Sequence, residues 1–97
     1  MKNATAKFFL NGVERLTVGS LPFPFDPQLG MMYHFPTLDS AVKNTFEISE
    51  IHLKPTLYLQ ISSMEIWFSI SGVDAESVLR EMQEVLKLVN LSYRKAG

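Results

Sequence analysis

Cysteine is absent from this 97-residue chain, which rules out disulfide staples, thiolate metal sites and a cysteine nucleophile. A dominant charge is missing too: nine Lys and Arg against ten Asp and Glu leave a net charge of −1. That balance lacks the basic field of a dedicated nucleic-acid binder, so no nucleic-acid partner is expected. No apolar run approaches the roughly 18 residues of a membrane span. The first residues, Met1 to Thr5, lead into alternation without the apolar stretch of a signal peptide. A cytoplasmic location is the expectation. Internal repeats and low-complexity tracts are lacking as well. So are a Gly-x-Ser-x-Gly elbow, a Gly-rich phosphate loop and a His-Glu-x-x-His helix.

What is present is a folding pattern. Apolar residues make up 46% of the chain and charged residues 20%, a balance that can bury a core within one domain spanning residues 1–97. Asn11-Gly12 is the strongest turn signal and centres a hairpin over residues 4–19. Ala4, Ala6, Phe8 and Leu10 share one face, as do Glu14, Leu16 and Val18. Matching parity calls for an odd loop, so the expectation is a three-residue loop, Leu10-Asn11-Gly12, with Gly12 left-handed. Residues 20–44 follow, with Pro22, Pro24, Pro27 and Pro36 among several aromatics. That proline density argues against a central strand or helix interior. Met31 to Phe35 suits a short edge strand stopped by Pro36, and Asp39 suits the cap of a helical turn through Val42 and Lys43.

From Thr45 the alternation sharpens into strands over 45–53, 56–61 and 64–71. Phe46 and Ile48 are even while Ile51 and Leu53 are odd, which predicts a bulge or kink at Ser49-Glu50. Lys54-Pro55 reads as a turn. Leu57, Leu59 and Ile61 are odd while Met64, Ile66, Phe68 and Ile70 are even. That inversion predicts a hairpin at Ser62-Ser63 pairing Ile61 with Met64, Leu59 with Ile66 and Leu57 with Phe68. Residues 74–90 then form an amphipathic helix, with Asp74 as N-cap and Glu76 in the first turn. Its apolar arc holds Ala75, Val78, Leu79, Met82, Val85, Leu86 and Val89, with Glu76 and Arg80 paired on the polar side. Leu88 and Leu91 fall off that arc: either the helix ends near them or they form a second small contact surface. The fold class is mainly β with one C-terminal α-helix (α+β), an antiparallel six- to seven-stranded, partly open barrel or sheet capped by the helix.

The run Phe46-Glu47-Ile48-Ser49-Glu50-Ile51 resembles the kinked strand of the pleckstrin-homology superfold, in its bacterial PH-like and GRAM-like branches. Leu57-Tyr58-Leu59-Gln60-Ile61 resembles the next strand. Glu65-Ile66-Trp67-Phe68-Ser69-Ile70 with Asp74-Ala75-Glu76-Ser77-Val78-Leu79 is similar to the last strand and helix. The likeness covers about half the chain, residues 45–90. Two departures stand out: the helix has no tryptophan, and residues 20–44 are unusually rich in proline and aromatics. The resemblance implies a non-catalytic module whose partners lie along a groove between helix and adjacent strand, or add a strand to an open edge.

No cofactor, no metal and no catalytic residue is expected. His34 and His52 lack metal-ligand spacing and read as isolated histidines. An enzyme using His34 with Asp26 or Asp39 is the remote reading. Glu47 and Glu50 read as exposed charges. Lys7 and Arg15 flank the first hairpin, where lipid-binding members of the superfold hold phosphates; they are the candidate anion contact. Two cations on a chain of net charge −1 make a weak one. Phe23, Phe25, Tyr33 and Phe35 either cover one open end of the sheet or form a contact patch. Trp67, opposite the Ile66/Phe68 face, is either packed under that loop or exposed to a partner. The leading expectation is a protein-interaction or self-assembly module with Phe23, Phe25, Tyr33, Phe35 and Trp67 as apolar anchors, a homodimer being one form. The alternative is a lipid-headgroup or small-ligand domain using Lys7, Arg15 and the aromatic loop. A membrane surface is not the main partner expected.

Overall fold

The computed structural model describes residues 2–35, 45–55, 62–71 and 74–95. In chain order the elements are β1 (Lys2–Leu10), β2 (Val13–Phe23), β3 (Met32–His34), β4 (Thr45–Pro55), β5 (Ser62–Ile70), α1 (Ala75–Leu88) and β6 (Tyr93–Lys95). The strands form one sheet in the order β3-β4-β5-β1-β2-β6. Every neighbouring pair is antiparallel except β1 and β5, which run parallel. The class is thus mainly β with one helix near the C-terminus, but the sheet is open and mixed, where a purely antiparallel one was expected. Periodicity assigns side chains to faces; it carries no information on which strand lies beside which, or in what direction.

The β1–β2 hairpin shows how parity is restored. Asn11 (φ 53°) and Gly12 (φ 79°) are both left-handed and Leu10 pairs with Val13, so the loop has two residues, of type I′, and not three. The extra residue lies one step further on. Phe8 pairs with Leu16 while Phe9 pairs with Glu14, which leaves Arg15 as a bulge and returns Leu16 to the face of Phe8. A second bulge sets Thr5 against Gly19 and Ser20, shifting the buried positions of β2 from Leu16 and Val18 to Leu21 and Phe23. β2 therefore runs well beyond residue 19 and through Pro22. The proline is tolerated because β6 pairs only with Leu16 to Val18, leaving that side of Pro22 without a ladder partner among the described residues.

In β4 the expected irregularity is present. Ile48 pairs with Phe68 and Glu50 with Trp67, so Ser49 is the bulged residue, its Oγ donating to the Trp67 carbonyl at 3.0 Å. The strand continues through Pro55 and does not turn at Lys54. The hairpin expected at Ser62-Ser63 is replaced: Met64 faces Leu53, Ile66 faces Ile51 and Phe68 faces Ile48. With β1 on its other flank, β5 has no edge left for a strand at 56–61. Leu57, Leu59, Ile61 and the turn proposed after Asp39 lie outside the described residues. The edge strand foreseen near Met31 to Phe35 is β3, where Tyr33 pairs with Phe46.

Helix α1 buries Ala75, Val78, Leu79, Met82, Val85 and Leu86, the expected arc except Val89, which follows the last turn and is exposed. Asp74 occupies the N-cap position without a side-chain cap bond. At the other end Asn90 is left-handed (φ 58°), the Leu91 amide donates to the Leu86 carbonyl at 3.0 Å, and the Asn90 amide donates to Lys87 at 3.3 Å. This is a Schellman closure with Asn in the usual glycine place. Glu76, expected to pair with Arg80, instead takes a two-pronged bond from Arg15, at 2.7 and 3.0 Å, which ties the helix start to the β2 bulge.

The helix covers one face of the sheet. There Phe8 stacks on Phe68 (centroids 4.9 Å, 12°) and meets the edges of Phe35 and Phe46. Phe23 and Tyr33 adjoin at 4.9 Å. Fully burying one such ring stabilises the fold by roughly 1.5–3 kcal/mol.

Candidate functional site

The residues singled out in the sequence fall in three places. Phe23 (0% exposed), Phe35 (2%) and Tyr33 (7%) belong to the core, and Phe25 is half-buried against it. Phe23 and Tyr33 pack against each other and on Phe68, so Phe23, Tyr33 and Phe35 do not stand out as surface anchors. The physical reason is the Gly19-Ser20 bulge, which turns Leu21 and Phe23 inward. Tyr33 is anchored further by its hydroxyl, which donates to the Pro22 carbonyl at 3.0 Å, and burial pushes its pKa above the ordinary value.

Trp67 lies on the opposite, outer face. Its ring packs on Phe9 (4.5 Å) and His52 (4.1 Å), and its Nε1 donates to Glu65 Oε1 at 2.6 Å. It is half-buried, apart from the aromatic loop. Phe9 and His52 were not singled out from the sequence. The Phe8-Phe9 pair was the available signal, since consecutive strand residues point to opposite faces and one ring must then join Trp67.

The two candidate anion contacts are both engaged with carboxylates. Lys7 Nζ lies 3.0 Å from Glu14 and 3.5 Å from Glu65. Its bond to Glu14 raises the Lys7 pKa and depresses that of Glu14. Arg15 is engaged by Glu76, which raises the pKa of the guanidinium and lowers that of the carboxyl. The structure does not bring Lys7 and Arg15 together as a phosphate clamp: they answer to acids on different sides of the sheet. His34 is exposed on β3, opposite Thr45, and Asp39 lies outside the described residues. Among the described residues no group of three or more His, Asp or Glu side chains is arranged to hold a metal ion, and no helix is long and apolar enough to cross a membrane.

One concavity among the described residues is a groove of about 330 Å³ between the end of α1 and the sheet. Val85, Leu86 and Val89 line its helix side, Leu91 its end, and Leu21, Pro22, Tyr33 and Phe35 its sheet side. Local sequence explains each wall. The Schellman closure folds Leu91 back against Leu86, the β2 bulge presents Leu21, and β3 supplies Tyr33. Val89 (54% exposed) stands at the rim and Leu88 (65%) beside it in sequence. Leu88 and Leu91 had already fallen off the helix arc, the one sequence sign of this surface. So two of the expected anchors, Tyr33 and Phe35, contribute here as walls of a groove.

No protein-family model matches this chain, and comparison with curated proteins and with solved structures gave no match.

Proposed function

We propose that this chain is a non-catalytic interaction module that receives an apolar side chain of a partner protein in the groove at the end of α1. The observation that supports this reading is the groove itself: about 330 Å³, walled by Leu, Val, Pro and aromatic side chains, with Val89 exposed at its rim. That volume is at the small end for ligand sites and suits one or two apolar side chains better than a cofactor. Filling it would remove apolar surface from water, and a buried anchor of this kind carries most of a typical interface's energy. The pleckstrin-homology resemblance enters at one point, since it implies partners seated between the helix and an adjacent strand. A headgroup-binding role has less support, because Lys7 and Arg15 are both neutralised by carboxylates.

A displayed random-peptide library selected against the protein tests the proposal. The expected binders share a Leu, Phe or Trp anchor and lose affinity to Val89→Glu, a change at an exposed site that leaves the melting temperature close to wild type. Binders indifferent to Val89→Glu would place the partner site elsewhere.

A further inference from the structure

A second surface carries an inference independent of the groove. The outer face of the sheet is not covered by α1, whose buried side chains all belong to the inner core. One cross-strand row on this face can be followed through four ladders: Glu50 pairs with Trp67, Trp67 with Lys7, Lys7 with Thr17 and Thr17 with Arg94. Paired residues point to the same side, so an acid, an aromatic ring, a neutralised lysine, a hydroxyl and a base stand in line across five strands. Glu50 and Arg94 are both exposed and each is two strands from Lys7, or about 10 Å at the usual strand spacing of about 4.8 Å. Beside Arg94 is a cleft of about 350 Å³ whose walls include the hydroxyl-bearing Thr5 and Thr17 and the backbone of Gly19. The Thr5 and Thr17 hydroxyls donate to the Gly19 carbonyl and to Glu14, so it is the Arg94 guanidinium that suits a carboxylate here.

A row with an acid at one end, a base at the other and equal arms is complementary to itself. Turned by half a turn about an axis through its centre, it sets Glu50 over Arg94 at both ends. At the centre Glu14 and Glu65 together outweigh Lys7 by one negative charge per copy, a repulsion that the two Glu50–Arg94 pairs must exceed. Trp67, flanked by Phe9 and His52, supplies apolar contact close to the axis, where a hot spot is most effective. We infer that the outer face docks a second copy of this chain about a two-fold axis passing near Lys7, with Glu50 of each copy in the Arg94 cleft of the other.

Sedimentation equilibrium on four samples tests this at low salt, where exposed charges are least screened. Wild type is expected to dimerise. Glu50→Arg and Arg94→Glu, both exposed substitutions whose folding is checked by melting temperature, are each expected to weaken the dimer by on the order of tenfold or more, since each converts two attractions into two repulsions. An equimolar mixture of the two variants restores both pairs and is expected to recover the dimer mass. A wild type that stays monomeric up to about 1 mM, the weak limit of specific association, overturns the inference. So does a dimer that ignores both substitutions, or a mixture that stays as dissociated as its components. Groove binding is read separately, because neither substitution touches Val89 or its neighbours.

Discussion

The two faces of the sheet are made by the same strands and obey different rules. Phe8 and Phe9 are consecutive, yet Phe8 is fully buried beneath α1 while Phe9 is half-buried beside Trp67. On the inner face the packing is aliphatic and aromatic, with rings stacked or edge-on around Phe8 and Phe68. On the outer face even the most buried acid, Glu65, has Lys7 and the Trp67 indole as partners. The lesson is that burial alone does not make a core here. The inner face holds few polar groups, the Tyr33 hydroxyl with its bond to the Pro22 carbonyl among them, while the outer face pairs charged ones, and paired groups are what a surface needs if it is to be covered at some times and wet at others.

The sharpest way to break the comparison is to truncate both rings. Phe8→Ala opens a cavity among Phe35, Phe46 and Phe68 and is expected to cost about 4 kcal/mol, enough to unfold much of a chain this small at ambient temperature. Phe9→Ala removes a ring that is already half in water and is expected to cost about 1 kcal/mol. Chemical denaturation of the two variants reads the difference; equal losses would mean the faces are energetically alike. The double change Phe23→Ser, Phe25→Ser belongs with Phe8→Ala and is expected to collapse the melting temperature.

The next effect comes from the outer-face charges. Lys7→Met leaves Glu65 buried without its cation and is expected to cost about 2 kcal/mol, between the values for exposed and fully buried pairs. The pH profile carries the same information with a definite sign. Glu14 and Glu76 have folded pKa values below their ordinary 4.5. Their contribution is therefore complete above pH 4.5 and fades as the pH falls through the depressed values. Lys7 has a folded value above its ordinary 10.5. Its contribution is complete below pH 10.5 and fades as the pH rises further. Tyr33, held above its ordinary 10.0 by burial, adds to the alkaline loss because its unfolded form ionises first. Melting temperature against pH should show a plateau with loss at both ends, and Lys7→Met should reduce the alkaline limb to the part that Tyr33 supplies. An alkaline limb unchanged by Lys7→Met contradicts the pairing.

The smallest effect tests the groove end of the helix. Asn90 holds a left-handed conformation that glycine adopts at less cost. Asn90→Gly should raise stability by about 0.5 kcal/mol with groove binding intact, as read by calorimetry. A loss of stability would show that the Asn90 side chain contributes something the backbone closure does not.

How much of this was legible depended on whether a feature is local. The helix register, the bulge at Ser49, the turn at Asn11-Gly12 and the short edge strand at β3 each follow from a few consecutive residues, and each is found. Which strand borders β5 is decided by residues some sixty positions apart, Ala6 and Ile66 among them, and alternation says nothing about that. The aromatic loop illustrates the same limit from the other side. Proline density suggested that the chain leaves the sheet after residue 19, whereas one bulge keeps it there to Phe23 and sends that ring inward. The groove was visible only as Leu88 and Leu91 out of phase with the helix, because its other walls come from β2 and β3. The self-complementary row on the outer face could not be read at all before four strand registers were known.

Both surfaces depend on β5 lying between β4 and β1, parallel to the latter. Backbone nuclear Overhauser contacts of Ile66 measure this directly. Contacts from Ile66 to Ile51 on one side and to Ala6 on the other are what the register requires. Contacts from Ile66 to Leu59, as a hairpin at Ser62-Ser63 demands, would contradict the sheet order and with it the assignment of both faces.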